Sequence, residues 1–221
     1  VDMFIVCCDL EGVFVPEIWI TVADKTGIEE LRLTTRDIAD YDQLMQFRLK
    51  ILAKHNLKLA DIQTAIAAMA PLPGAAAFLQ WLRSVTQVII LSDTFQEFAG
   101  PLMQKLGWPT LMCHELVIDV DDAITGYRLR LSDAKKRALL ALRDLNYHTI
   151  SVGDSYNDIE MLKAADTGIL FSPPDNVLAE FPELPVAQTY DQLQRRIAAT
   201  LGISVATPTK TSRIQDPHDH P

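Results

Sequence analysis

Cysteine is scarce in this chain. The sequence holds 3 cysteines, Cys7, Cys8 and Cys113, and the first two are neighbours in one apolar run. An odd count with adjacent members does not make a disulfide framework, which points to a reducing compartment, the cytoplasm. Positive charge is also in deficit: 20 Lys and Arg stand against 29 Asp and Glu, a formal net charge of −9. Such a chain repels phosphate backbones and anionic lipid surfaces unless a local basic patch reverses the field, and no such patch is present. Nucleic-acid and membrane partners are therefore not expected. Long hydrophobic runs are missing too. The longest stretch without a polar side chain, Ala65 to Leu79, is broken by Pro71, Pro73 and Gly74, whereas a membrane span needs roughly 18 or more residues of continuous helix. The first residues reach Asp9 after the short run Phe4 to Cys8 with no basic segment before it, so they do not read as a signal peptide, and Met3 is a candidate natural start. Glycine and proline, 9 and 12 residues of 221, are too few for a low-complexity chain. One domain, or one domain with an insertion, is expected at this length.

What is present is an alternation. Phe4 to Cys8, Gln87 to Leu91, Thr149 to Val152 and Gly168 to Phe171 are continuous apolar runs of the kind that form strands buried on both faces of a parallel sheet. Helical patterns at Ala75 to Val85, Phe95 to Leu106 and Ala134 to Leu145 lie between them. That order predicts an α/β fold with an open, doubly wound parallel sheet. Met112 to Val120 and Ile124 to Leu131, around Asp121, Asp122 and a Thr125-Gly126 turn, read as an antiparallel hairpin. Residues 16 to 71 break the alternation with three or four helices and no strand signal. Asp40 with Gln43 resembles a capping box opening a helix to about His55, and Leu59 to Ala70 follows as another. This segment is expected to be a helical cap inserted into a core of residues 1–15 and 72–202. Tyr190 to Leu201 reads as a last helix stopped by Gly202, and 203–221 as a disordered tail.

Acidic residues gather where strands end. Asp9-Leu10-Glu11-Gly12-Val13 follows the first buried strand, and Gly153-Asp154-Ser155-Tyr156-Asn157-Asp158 follows another. The carboxyl edge of an open α/β sheet is where ligands bind, and paired carboxylates there suit a hard divalent cation, above all magnesium. Helix capping is the plain alternative for either motif alone. Ser92-Asp93-Thr94 closes the second strand, with Thr94 and Glu97 spaced as a capping box, so the Ser92 hydroxyl and the turn amides form a candidate anion site. Lys135 sits in the first turn of a helix, where a cation opposes the helix dipole by a few tenths of a kcal/mol, so a reason other than helix stability is required. A solvated basic face with Lys136 and Arg137 is the alternative.

These residues together resemble the four motifs of the haloacid dehalogenase-like phosphatases: Asp-x-Glu-Gly, Ser92, Lys135 and Gly-Asp-x-x-Asn-Asp. Within them the chain resembles the phosphoserine phosphatases, most of all their ThrH-type subgroup, which includes phosphoserine:homoserine phosphotransferases. The cues are Asp9 to Val13, Val15-Pro16-Glu17-Ile18-Trp19, Ile90 to Phe95 and Gly153 to Asp158, and the likeness covers roughly residues 3 to 200. It implies a Rossmann-like core and a mechanism. Asp9 would be the nucleophile and form an aspartyl phosphate, and Glu11 would be the general acid and base. Asp9, the Glu11 main-chain carbonyl, Asp154 and Asp158, the last directly or through water, would hold Mg²⁺. Ser92 and Lys135 would bind the phosphoryl oxygens, and Asp93 and Asn157 would face the substrate. Phosphoserine is the implied substrate, homoserine an alternative acceptor, and a homodimer an allowed assembly. Glu11 in place of an Asp, and Asp93 in place of a glycine, depart from the commoner pattern and match the subgroup.

Substrate choice is expected to rest on the cap. On the Tyr41–His55 helix, Leu44, Phe47, Ile51 and Leu52 form an apolar stripe with Arg48 in its middle. An inward arginine needs an anion: a substrate carboxylate, or a nearby Asp to which the side chain snorkels. Glu17 is a candidate for the substrate ammonium, or simply a first-turn glutamate. Asp24-Lys25-Thr26-Gly27 imitates the phosphorylated tetrapeptide of cation-pumping ATPases, but it follows a helix and reads as a helix end with Gly27 beyond it. Cys7 and Cys8 read as core residues. A receiver-like phospho-acceptor module is the rival, but it has neither a helical cap nor an acid two residues beyond its acceptor aspartate.

Overall fold

The apolar runs assemble into a single seven-stranded sheet. The computed structural model describes residues 3–34, 37–38 and 40–204. Its strands are β1 (Met3–Cys8), β2 (Gln87–Phe95), β3 (Leu111–Ile118), β4 (Ile124–Arg128), β5 (Tyr147–Gly153), β6 (Thr167–Phe171) and β7 (Val186–Ala187). Their order is β4-β3-β2-β1-β5-β6-β7, and every neighbouring pair is parallel except β3 with β4. The chain passes from β1 to β2 on one side and later to β5 on the other. The strand order thus reverses at β1, and the crevice beyond its carboxyl end is where such sheets bind ligands.

Period-two alternation gives each central strand two apolar faces. Val6, Cys8, Ile90, Ile150 and Val152 belong to one buried cluster, while Ile5, Cys7, Ile89 and Leu91 join Ala138, Leu139 and Met161 in another on the opposite face. Each fully buried Leu, Ile or Phe here contributes about 1.5–3 kcal/mol. The helices that cover these faces are α4 (Ala75–Val85), α5 (Gln96–Lys105), α6 (Ala134–Asp144), α7 (Ile159–Ala164) and α9 (Tyr190–Leu201), with a short α8 (Asp175–Glu180) near the β7 edge. Cys7 and Cys8 are wholly buried core residues without disulfides, and burial pushes the Cys7 thiol up to about 12, so it is no nucleophile.

Between β1 and α4 lie α1 (Ile18–Thr26), a 3₁₀ turn (Glu29–Arg32), α2 (Tyr41–Lys54) and α3 (Leu59–Ala67). The segment leaves and returns at one place, since the Leu72 amide donates to the Phe14 carbonyl at 2.9 Å. Its far side is tied to the β3–β4 hairpin: the amides of Leu59 and Ala60 donate to the Asp122 carbonyl and carboxylate, and the Tyr127 hydroxyl to Asp42. Asp40 caps α2 by accepting the Gln43 amide, and Gly27 closes α1 in the left-handed conformation.

Several expected boundaries shift. The hairpin turn is Asp119–Ala123, pinned by the Asp119 carboxylate accepting the Asp121 and Ala123 amides, so Thr125 and Gly126 lie in β4 rather than in a turn. β2 runs past Ser92 to Phe95, and the Thr94–Glu97 capping box does not form. Phe95 stands at the helix N-cap, and Glu97 instead accepts the Leu116 amide of β3. α3 ends three residues before the expected Ala70, because the Met69 amide turns back to Ile66 and Lys105 caps the Ala67 and Met69 carbonyls. Of the expected tail, 205–221 lie outside the described residues. Among those described, no helix is long and apolar enough to cross a membrane.

Candidate active site

Asp9 follows β1 directly, and its amide donates to the Val152 carbonyl of β5 at 2.9 Å, which fixes it at the sheet edge. Two glycines let other carboxylates approach. Gly12 has φ +75°, and a Cβ there would lie 2.3 Å from the Asp154 carboxyl carbon; a Cβ on Gly153 would lie 2.4 Å from the Asp158 side chain. Both motifs therefore need glycine for close packing beside an aspartate, a constraint that helix capping does not impose. Asp158 is fully buried and accepts the amides of Asp154 and Ser155, so it caps its own turn and faces the site at once.

Carboxylate oxygens of Asp9, Asp154 and Asp158 all lie within 4.8 Å of one another. Lys135, 4% exposed, reaches into the cluster with Nζ 2.8 Å from Asp158, 3.0 Å from Asp9 and 3.3 Å from Asp93. Its ammonium thus pairs with three carboxylates and donates a hydrogen bond to Asp158. Burial lowers the lysine's pKa, but Asp158, Asp9 and Asp93 outweigh it and hold the pKa well above the ordinary value. Asp9 is driven upward, first by burial and then by Asp158, Asp154 and Asp93, against the pull of Lys135. Four carboxylates and one ammonium leave the cluster short of positive charge. Hard oxygen donors in that arrangement fit a divalent metal ion, so the residues present suit the cation expected from the sequence.

Asp93 lies in β2 beside this cluster. Its carboxylate accepts Asn157 Nδ2 at 3.0 Å and lies 3.5 Å from His114 Nε2. His114 is buried on β3, and its Nδ1 accepts the Arg130 amide, which leaves the ring proton on Nε2, facing Asp93. Burial raises the Asp93 pKa, but Lys135 and the His114 and Asn157 hydrogen bonds outweigh it and hold the group well below the usual carboxylate range. Ser92 is buried at the same edge, its Oγ accepting the Thr94 amide at 3.2 Å.

The helices between β1 and α4 close this crevice. Glu11 turns away from the aspartates: its Oε2 accepts the Ile18 amide at 2.8 Å at the start of α1. Its pKa rises to about 8, by burial first and then by neighbouring Glu17, against the Ile18 hydrogen bond, Arg48 and Lys135. The protonated form of Glu11 is thereby favoured. Glu17 precedes α1 and makes no side-chain cap. Arg48 lies on the inward face of α2, 6% exposed, with Leu44, Met45, Ile51 and Leu52; Phe47 is only half-buried. The alternative of an arginine paired with a nearby Asp does not occur among the described residues. Nη2 donates to the Leu33 carbonyl, Nη1 approaches Met45 Sδ, and Nε has no partner.

One cavity of about 80 Å³ joins these parts. Asp9, Ser92, Asp93, Lys135, Asp154 and Asn157 line one end, and Glu11, Glu17, Trp19 and Arg48 the other. A wider groove of about 610 Å³ adjoins it through Tyr41, Asp93, Lys135 and Asn157, with Leu129, Leu131 and Tyr156 as apolar walls. Nine of the ten expected site residues line the smaller cavity, and Asp158 sits behind it against Lys135. The sequence reading missed Trp19, Tyr41 and His114. Tyr41 donates its hydroxyl to the Asp93 carbonyl at 3.0 Å. Trp19 had a signal, an aromatic two residues beyond Glu17, whereas a lone histidine on a strand carries none. The tetrapeptide at Asp24 lies apart, with Asp24 exposed and paired to Arg32.

Comparisons with known proteins agree with this geometry. Residues 15–166 match the model of the haloacid dehalogenase-like hydrolases. A phosphoserine phosphatase of Pseudomonas syringae pv. tomato is 58% identical over 191 residues, 86% of this chain and 81% of its own length. The phosphoserine phosphatase ThrH of Pseudomonas aeruginosa is 56% identical over 193 residues, 87% of this chain and 94% of its own. Among solved structures, an apo phosphoserine phosphatase superposes with a TM-score of 0.72 at 22% identity, covering 90% of this chain and 98% of that one, which shows the shared fold. The chain belongs to the haloacid dehalogenase-like hydrolase family, as a relative of its ThrH-type phosphoserine phosphatases.

Proposed function

We propose that this protein hydrolyses L-phosphoserine to L-serine and phosphate through a phosphorylated Asp9. The observation that supports this most is the polarity of one small cavity. Its acidic end suits a phosphoryl group with a metal ion, and its other end offers a buried arginine with an unpartnered N–H. A small amino acid esterified to phosphate has the matching charges.

Asp9 attacks phosphorus, and the bond from phosphorus to the serine oxygen breaks. Glu11, whose raised pKa favours the protonated form, gives its proton to that leaving oxygen. The Glu11 carboxylate so formed then takes a proton from the incoming water, which attacks phosphorus and releases phosphate and free Asp9. Lys135 and Ser92 shift onto the phosphoryl oxygens, Lys135 giving up a contact with Asp9 as that carboxylate is consumed. Magnesium, held by Asp9, Asp154 and the Glu11 main-chain carbonyl, with Asp158 directly or through water, would supply the positive charge that lets a carboxylate approach a phosphate dianion. Arg48 grips the substrate carboxylate, and Glu17 the ammonium. Asp93, fixed by His114 and Asn157, orients Lys135.

Residues 16–71 act as a cap on a core of 1–15 and 72–202, and the cytoplasm, where Cys7, Cys8 and Cys113 stay reduced, is the setting. Homoserine is an alternative acceptor, since its ammonium and carboxylate fit the same grip and its extra methylene carries the hydroxyl toward phosphorus. A homodimer is compatible with all of this and is measured by light scattering. Incubation with Mg²⁺ and phosphoserine should release phosphate, and phosphorus NMR with added homoserine should show phosphohomoserine beside it. No phosphate release would overturn the hydrolase reading, and phosphate alone at high homoserine would remove the transfer.

A further inference from the structure

Arg48 is a buried cation with an unusual partner. Among the described residues no carboxylate lies within ion-pair distance, and the hydrogen bonds of Arg48 go to the Leu33 carbonyl at 2.9 Å and, weakly, to Met45 Sδ at 3.7 Å. Burial pushes its pKa down to about 10, a measure of how poorly the charge is compensated. What faces the guanidinium is the Trp19 ring, whose centroid lies 4.5 Å from the guanidinium carbon. The face of an indole attracts a cation through its quadrupole, and it does so without occupying any N–H. A carboxylate in that place would satisfy the arginine better but would take up the planar edge that recognises an anion.

Trp19 is itself held firmly. It is 7% exposed, with Phe98 edge-on at 5.6 Å and 74°, and Phe98 meets Phe95 at 5.7 Å and 89°. Phe95 ends β2, the strand that carries Ser92 and Asp93. A chain of three rings therefore links the plane of Arg48 to the strand that bears the phosphoryl-binding edge.

We propose that Trp19 is a positioning residue for Arg48, and that through it this site selects small phosphate esters bearing a carboxylate. The proposal rests on the reading of Arg48 as the carboxylate grip. Trp19 holds the guanidinium from the ring face without occupying any N–H, and the Nε group, which has no partner among the described residues, is left for the substrate anion to complete the arginine's coordination.

Phosphoserine and phosphoethanolamine differ only in the carboxylate, so the ratio of their kcat/KM values reads this contact. In the Mg²⁺-loaded enzyme, Trp19→Leu is expected to lower that ratio about tenfold or more. The loss should lie in KM for phosphoserine rather than in kcat, as for a contact made equally in ground and transition states. Trp19→Phe, which keeps a ring face, should stay within about threefold of wild type. Trp19→Met, bulky but without a quadrupole, serves in place of Trp19→Leu should that variant not fold. A ratio unchanged in the Leu and Met variants, a Phe variant no better than they are, or a fall confined to kcat on both substrates would each overturn the positioning role. Failure of the underlying reading looks different: Arg48→Ala would itself keep the wild-type ratio.

Discussion

The two ends of the cavity are both buried and both charged, yet they are built in opposite ways. At the sheet edge four aspartates crowd one lysine, which is ion-paired to three of them. On α2 a single arginine lies over an aromatic ring with an N–H left open. The first end lacks positive charge and the second lacks negative charge. A ligand with a phosphoryl group, its metal ion and a carboxylate supplies both deficits. The difference teaches which end tolerates change. At the acidic end a single ammonium pairs with several aspartates, so removing it strands them, while the basic end has a buried N–H without a partner among the described residues and, in the proposed function, is the end that chooses the ligand.

The sharpest way to break this comparison is at the nucleophile. Asp9→Asn should lower phosphoserine turnover by about 10⁴-fold or more. Burial and three neighbouring carboxylates already favour a neutral group at position 9, so the melting temperature of the metal-free variant should not fall below that of wild type. Residual turnover above a few per cent would remove Asp9 from the chemistry.

Lys135→Met tests the pairing at the acidic end. It leaves Asp9, Asp93 and Asp158 facing one another, so unfolding in urea should show a loss of about 3–5 kcal/mol, along with loss of activity. A variant as stable as wild type would mean that the aspartates are not held by this ammonium.

Gly12→Ala is milder. Its left-handed φ adds about 1–2 kcal/mol of strain, and its Cβ must displace the Asp154 carboxylate. Magnesium affinity, followed by calorimetry, should weaken about 10- to 100-fold. Unchanged affinity would mean that Asp154 is not a ligand. Smallest of all is Asp24→Asn, in the tetrapeptide that imitates an ATPase phosphorylation site. Its partner Arg32 is exposed and solvated, so kcat/KM should not change measurably, and a loss would give that tetrapeptide a function.

The acidic end was largely legible in the sequence because it is written in short motifs at strand ends. Asp9, Asp154 and Asp158 each follow or cap a buried apolar run, and the pairing of β1 with β5 brings them together. Inward Arg48 was legible from the α2 stripe alone. What could not be read was decided by tertiary contacts. His114 reaches Asp93 only because β3 pairs with β2, and Glu97 abandons a local cap for the Leu116 amide of the same strand. Strand β7, two residues long, and α8 have too little pattern to stand out. Trp19 was visible as a residue, but its contact with Arg48 is a tertiary one between α1 and α2.

The most direct measurement of the central claim, that one end does the chemistry and the other chooses the substrate, is rapid acid quenching of Mg²⁺-loaded enzyme with peptide mapping. Wild type and Arg48→Ala are each mixed with phosphoserine and with phosphoethanolamine. The account predicts that all four reactions phosphorylate Asp9, and that Arg48→Ala slows labelling from phosphoserine about 10- to 100-fold relative to labelling from phosphoethanolamine. Phosphate on Ser92 or another residue, or equal slowing with both substrates, would contradict it.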